Sequence, residues 1–248
     1  MASFSWTGNS RLSIDSGDGL GGTSSDFTIE CWSYLQNPTD SNDAVIYGVH
    51  DYGTVRRTQV GVLGTTPELY TTMDDTAFTN GGTFPASTWQ HVAWVRDGSD
   101  LNVYLNGTRV VNTAWTVGSL YSNNDAPCIG GDNSSVVSYG GKYSRKGGDS
   151  WLDQFRISSV ARYSGTDYDV PTEAFTSDAD TNVLVQASDW SGSGTSFTAT
   201  TGGNVTILSQ YSIAVSLGGN DVDYPSSPSG GTSATTYFMG EKIIGTSF

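Results

Sequence analysis

Between Thr88 and Val111 the chain reads TWQHVAWVRDGSDLNVYLNGTRVV, and its polarity repeats every second residue. Leu101, Val103 and Leu105 alternate with Asn102 and Tyr104, which puts the aliphatic set on one face of a sheet. The pattern predicts strands at Trp89–Arg96, Leu101–Leu105 and Thr108–Asn112. Asp97-Gly98-Ser99-Asp100 turns the first into the second, and Asn106-Gly107 makes a tight turn that needs positive φ at both central positions. Asp26–Leu35 is a further strand, with Phe27, Ile29, Cys31 and Leu35 alternating with Thr28, Glu30, Trp32 and Tyr34. Apolar residues on both of its faces predict a central strand covered on two sides.

The same reading extends along the chain. Ser3–Trp6, Arg11–Asp15, Ala44–Val49, Thr58–Leu63, Glu68–Met73 and Pro127–Gly131 are short strand patterns. Trp151–Ser158 follows, with Trp151, Asp153, Phe155 and Ile157 on one face, and then a short helical turn at Val160–Tyr163. Asn182–Ala187, Thr195–Thr200 and Asn204–Ser209 read as late strands. Met73–Ser87 and Asp132–Ser150 read as long loops. About a dozen short strands with frequent turn signals predict an all-β sandwich over residues 1–209. Beyond it, Gly218–Thr236 is a Gly/Ser/Thr/Pro-rich linker. The last stretch carries apolar Tyr237, Phe238, Met239, Ile243, Ile244 and Phe248. Residues 210–248 are therefore expected to be an irregular attachment segment, ordered by lying on a partner.

Charge narrows the partners. The formal net charge is −14, from 25 acids against 11 bases, so a nucleic-acid backbone is not an expected ligand. Arg56-Arg57 and Lys142–Lys146 are locally basic but read as solvated loops. Cys31, on a strand face with Phe27 and Ile29, is expected to be a buried free thiol; with Cys128 it is compatible with one disulfide but makes no disulfide framework and no metal-ligand spacing. The start, MASFSWTGNSR, lacks the basic-then-apolar order of a secretory signal, and no apolar run is long enough to cross a bilayer as a helix.

Three blocks then resemble one family. Asp26–Trp32, Trp89–Gly98 continuing into Leu101–Gly107, and Trp151–Ile157 continuing into Ala161-Arg162-Tyr163 resemble, in family order, the laminin-G-like domains of the concanavalin A-like lectin/glucanase superfamily. Asn182–Gln186 is similar to their closing strand, so the likeness spans about residues 3–208. Cys31 stands where the family usually has Ala, and Ser150-Trp151 where a Gly is usual. The resemblance implies a two-sheet antiparallel jelly roll, of a type frequent in bacteriophage virion proteins and bacterial surface proteins. It also implies a virion location, with a cell surface as the alternative, and other virion proteins and further copies of the chain as partners.

Enzymes on this fold are mostly glycoside hydrolases, which set two carboxylates roughly 5–9.5 Å apart. No strand here carries the E-x-D-x-x-E or E-x-D-x-E run of the related glucanases. Asp149 and Asp153 on one strand would stand roughly 13 Å apart, too far to act together. Asp153 matches the family's structural Asp and is expected to accept hydrogen bonds or pair with an Arg. His91 matches a packing position, and with Trp94 it is expected to hold the sheets together. Neither His91 nor His50 has a nucleophile context, so no triad is expected. Calcium binding occurs among laminin-G relatives, and Asp74-Asp75, Asn123-Asn124-Asp125 and Asp132-Asn133 supply oxygens, but such clusters are ordinarily solvated turns. No cofactor is expected. Glycan binding calls for a flat aromatic ring beside amide or carboxylate groups. Trp115, Tyr121, Asp132, Asn133, Tyr139 and Tyr143 are the candidates, against the alternative that these rings pack loops or meet another subunit. The sequence thus predicts a non-enzymatic virion component, a capsid decoration or head-fibre subunit, with a glycan-binding adhesin as the alternative and a divergent glycosidase third.

Overall fold

The computed structural model describes residues 4–6, 11–14, 26–35, 44–51, 56–63, 66–73, 76–115, 128–130, 150–186, 196–198, 204–208, 236–238 and 241–243. These residues form strands and irregular backbone and no helix. The strands are β1 (Phe4–Trp6), β2 (Arg11–Ile14), β3 (Phe27–Leu35), β4 (Ala44–Asp51), β5 (Arg56–Val62), β6 (Glu68–Met73), β7 (Thr76–Thr83), β8 (Trp89–Asp97) and β9 (Asp100–Leu105). They continue with β10 (Thr108–Ala114), β11 (Cys128–Ile129), β12 (Ser150–Ser158), β13 (Thr181–Val185), β14 (Ser196–Thr198), β15 (Asn204–Leu208), β16 (Thr236–Phe238) and β17 (Glu241–Ile243).

Two antiparallel sheets carry the fold. One runs β1-β12-β3-β8-β9-β10, with β13 also paired to β12; the other runs β14-β15-β2-β11-β4-β5-β6-β7. The meander β8-β9-β10 and the central strand β3 lie side by side in the first sheet, with Cys31 opposite Val92 and Ile29 opposite Trp94. Because directly opposed residues share a face, Ile29, Cys31, Val92, Trp94, Leu101 and Val103 point together into the core. They meet Ile46, Val60, Val62 and Leu69 of the second sheet and Phe84 just beyond β7, and Tyr47 stacks on Phe155 with ring centroids 6.3 Å apart. Each fully buried aliphatic side chain here stabilises the sandwich by about 1.5–3 kcal/mol.

Four expectations are corrected. Residues 76–83, read as loop, form β7, which pairs with β6 through Thr71–Phe78 and Thr72–Ala77; polar Thr residues suit a strand, so polarity alone was a poor loop signal. Val160–Tyr163 is a bend and irregular backbone, not a helical turn, because its donors are used elsewhere: Arg162 N–H donates to Thr28 Oγ1 at 2.9 Å. Asp153 does not share a face with Phe155. A bulge between Asp153 and Arg156, with Gln154 at φ 53°, sets Asp153 opposite Trp32 on the outer face while Phe155 joins the core. The bulge therefore puts Asp153 and Arg156 on the same side. Lastly, β16 and β17 form a hairpin within the segment read as linker and tail, and among the described residues they pair with each other and with neither main sheet.

Candidate functional site

The outer face of the first sheet carries a strap, residues 159–180, closed at its base where Ser159 N–H donates to Asp180 O at 2.9 Å. The strap crosses the strands in order. Thr28 Oγ1 donates to Val160 O (2.8 Å), Tyr104 Oη to Gly165 O (3.0 Å), and Arg109 N–H to Thr166 O (2.8 Å). It returns to β12 where Phe175 N–H donates to Gln154 Oε1 at 2.8 Å, and Gln186 Nε2 donates to Phe175 O at 2.8 Å. The Asn106-Gly107 turn serves the strap as well as the meander. Both residues have positive φ, 48° and 81°, Gly107 O accepts the Tyr168 N–H at 2.8 Å, and a Cβ on Gly107 would lie 2.3 Å from Tyr168 O. Glycine is required there twice over.

Beneath the strap lies the densest group of ionisable side chains among the described residues. Glu30 is fully buried. Its Oε1 accepts from Arg156 Nε at 2.8 Å and stands 2.7 Å from Arg156 Nη2; its Oε2 accepts from Tyr163 Oη at 2.6 Å. His91 Nε2 lies 3.3 Å from Oε2 without meeting hydrogen-bond geometry, and Arg162 Nε lies 3.9 Å from Oε1. Burial works to raise the Glu30 carboxyl, but His91, Arg156 and Tyr163 together outweigh it and hold it below the ordinary glutamate value. The phenol of Tyr163 is pushed up, first by burial and then by the Glu30 charge it faces. Tyr168 stacks on Tyr163 at 3.7 Å between centroids, shares a 2.7 Å hydrogen bond with His91 Nδ1, and is also pushed up, chiefly by burial. At the strap's base Arg162 grips Asp178 with two bonds, 2.9 and 2.7 Å, and these with the Thr181 hydroxyl hold the Asp178 carboxyl well below its usual range.

This arrangement contains a glutamate, a histidine, two arginines and two tyrosines, yet it offers a substrate no free acid–base pair. Every oxygen of Glu30 is engaged, and the Glu30 and His91 side chains are both 0% exposed. A glycosidase requires one carboxyl kept protonated beside a second held ionised, with room for sugar or water between. Here Glu30 is stabilised as a carboxylate by neighbours that fill the space around it. Its chemistry is to clamp the strap to the sheet.

The residues singled out from sequence fall as follows. His91 does not hold the sheets together: it faces away from the core, opposite Trp32, and binds the strap, whereas Trp94 does lie in the inter-sheet core. Asp153 accepts the Gln154 N–H at 2.8 Å. Cys31 is a buried free thiol, and burial pushes it well above the ordinary thiol value. Trp115 is half-buried, packs edge-on to Phe27 with centroids 5.1 Å apart, and has Arg96 over its ring at 5.9 Å. Tyr121, Asp132, Asn133, Tyr139, Tyr143, His50's side chain and the three oxygen-rich clusters at residues 74–75, 123–125 and 132–133 lie outside the described residues, as do Met239, Ile244 and Phe248. Tyr237, Phe238 and Ile243 have their backbone in the hairpin. Sequence reading missed Glu30, Arg156, Tyr163 and Tyr168 as one group; the available signal was the polar set of β3, in which a glutamate alternates with apolar core residues.

Two antiparallel sheets face to face, with a long strap across the outer face of one, define a lectin-type jelly-roll sandwich. The chain belongs to the concanavalin A-like lectin/glucanases superfamily, whose laminin-G-type family model matches residues 7–165. No curated protein matches it. Among solved structures it is similar to a proposed carbohydrate binding protein from Bacteroides ovatus, at 16% identity and TM-score 0.59 over 98% of this chain and 61% of that one. The chain thus spans about three fifths of that structure. It is also similar to the native heptameric SAP-like pentraxin from Limulus polyphemus (15% identity, 86% of this chain and 97% of that one, TM-score 0.47). A third is the CBM40 of the Ruminococcus gnavus IT-sialidase, bound to alpha2,3 sialyllactose (10% identity, 61% and 89%, TM-score 0.43).

Proposed function

We propose that this chain is a non-enzymatic, lectin-like binding module for glycans. The observation that carries the reading is the fate of its ionisable groups: the acid, the imidazole and the guanidinium that a hydrolase would present to substrate are locked together under the strap at Glu30, His91 and Arg156. Rings, amides and hydroxyls are the groups that recognise a sugar without transforming it. The Bacteroides ovatus protein, whose proposed activity is carbohydrate binding, agrees with the reading. A glycan array with the purified chain tests it, with retention of at least one glycan as the expected result. Turnover of a polysaccharide that is lost in Asp153→Asn, without unfolding, overturns the non-enzymatic half.

Our narrower proposal places the module on a virion, as a capsid decoration or head-fibre subunit, with residues 210–248 as the attaching segment. A hairpin whose strands, among the described residues, pair with each other and with neither main sheet is the feature that favours it. Copurification with capsids, abolished in a chain ending at residue 209, is the expected outcome. Copurification unaffected by that truncation removes the tail's role.

A further inference from the structure

Three places along the strap converge on one carboxyl. Tyr163 Oη donates to Glu30 Oε2 directly. Tyr168 Oη reaches it through His91, sharing a hydrogen bond with Nδ1 while Nε2 lies 3.3 Å from Oε2. Phe175 and Thr176 reach it through Arg156. That guanidinium is held by Glu30 Oε1, lies 4.2 Å from the centroid of the Phe175 ring, and donates to Thr176 O at 3.5 Å. The groups facing Glu30 are therefore His91 from β8, Arg156 from β12, and Arg162, Tyr163 and Tyr168 from the strap. Tyr104 of β9 packs on Tyr168, and Asp153 of β12 stands one row away, opposite Trp32. The strap's grip is separate from the core. Among the described residues, the cluster between the two sheets contains none of 159–180. Tyr163, Tyr168, Val170 and Phe175 instead pack in two small clusters on the outer face, with Trp32, Ala93, Val95 and Tyr104.

We infer that the strap is an acid-released cover, in which protonation of Glu30 frees residues 163–176 from the outer face while both sheets stay folded and the strap's base stays tied. A protonated Glu30 leaves Arg156, whose side chain is 10% exposed, without a counter-charge among the described residues, and leaves Arg162 with Asp178. A buried charge that has lost its partner is costly until water reaches it. Lifting the middle of the strap admits that water. The other ties of the middle join neutral groups, for which water is a near-equal substitute. These are Tyr104 Oη to Gly165 O, Arg109 N–H to Thr166 O, Tyr168 N–H to Gly107 O, and the Phe175 bonds to Gln154 and Gln186. The base is held differently. Val160 O and Arg162 N–H both bond Thr28 Oγ1, and Arg162 and Thr181 keep the Asp178 carboxyl well below its usual range, so that pair outlasts mild acid. Glu30's folded value lies below the ordinary 4.5, so the clamp is complete above pH 4.5 and is lost as pH falls through the folded value. Release uncovers Trp32, Ala93, Val95 and Tyr104, each 2% exposed or less, and turns a covered face into an apolar one.

Hydrogen–deuterium exchange of the full-length chain, corrected for the intrinsic rate at each pH, tests the cover. Between pH 7 and about pH 3, residues 163–176 should come to exchange about tenfold faster at a pH where residues 27–35 and 89–97 keep their protection. Glu30→Gln keeps the size of the side chain and removes its charge. It should show the fast strap already at pH 7, with no further change on acidification. Should that variant fail to fold, Tyr163→Phe takes its place. It cuts one tie and removes a bond that favours the ionised carboxyl, so release should begin at a higher pH than in the wild type. The inference is overturned if strap and sheets lose protection together at every pH. A strap in Glu30→Gln as protected at pH 7 as that of the wild type overturns it too, as does release in Tyr163→Phe at the wild-type pH or lower.

Discussion

Glu30 shows how one residue's meaning is set by its company. In sequence it is a glutamate on the polar side of a strand; in the fold it is a fully buried carboxylate with an arginine, a tyrosine and a histidine around it. Breaking a buried ion pair from one side leaves the other charge stranded and costs about 3–5 kcal/mol. Glu30→Ala should therefore lower unfolding stability in urea by about that much. Asp178→Ala, whose carboxyl is 46% exposed in its pair with Arg162, should cost only about 1 kcal/mol. Acid should act through the same residue. Glu30's folded value lies below its ordinary 4.5, so the stability it contributes is present above pH 4.5 and is lost as pH falls through the folded value. Denaturation midpoints measured from pH 7 to pH 2.5 should fall steeply below about pH 4.5 in the wild type. In Glu30→Gln the fall should be shallower.

At the scale of elements, the strap and the Asn106-Gly107 turn are coupled. The turn needs positive φ for the meander and a bare Cα for the Tyr168 carbonyl. Gly107→Ala should cost about 1–3 kcal/mol, and the loss should come with faster amide exchange in residues 165–170, measured by hydrogen–deuterium exchange. If the strap's protection is unchanged, the coupling is wrong. The Cys31 thiol on β3 offers a second reading of the same sheet. Buried and pushed toward its protonated form, it should react with a thiol reagent only at the rate of unfolding, giving no signal on the native chain within minutes. The two sheets and the meander were legible as elements because an alternating pattern with one buried face leaves few choices. β7 was not, because its Thr- and Gly-rich strand lacks the apolar alternation that marks the others. Nor was the bulge at Gln154, since one residue in the left-handed region reverses a face with no change in composition.

At the scale of the whole molecule, the three blocks that carry the family likeness turn out to be one place. Glu30 comes from the first, His91 from the second, and Arg156, Arg162 and Tyr163 from the third, and they converge beneath the strap. The recognisable positions mark the clamp that closes the fold, and all of them lie ahead of the terminal segment. This separation predicts that a chain ending at residue 209 keeps the sandwich. Its thermal midpoint should stay within a degree or so of the full chain, because among the described residues β16 and β17 pair with neither main sheet. A large drop would show that the segment packs on the sandwich.

The chain's own pattern determined the all-β class, the meander, the two-sided central strand and the buried thiol. Each of these follows from local alternation and turn chemistry, which act over a few residues. Tertiary structure alone decided that Asp153 and Arg156 share the outer face, that His91 serves the strap and not the core, and that Trp32 and Phe175 meet beneath the strap. Those facts depend on register between strands separated by scores of residues, and on where a long strap stops. Spacing along the sequence carries no record of either.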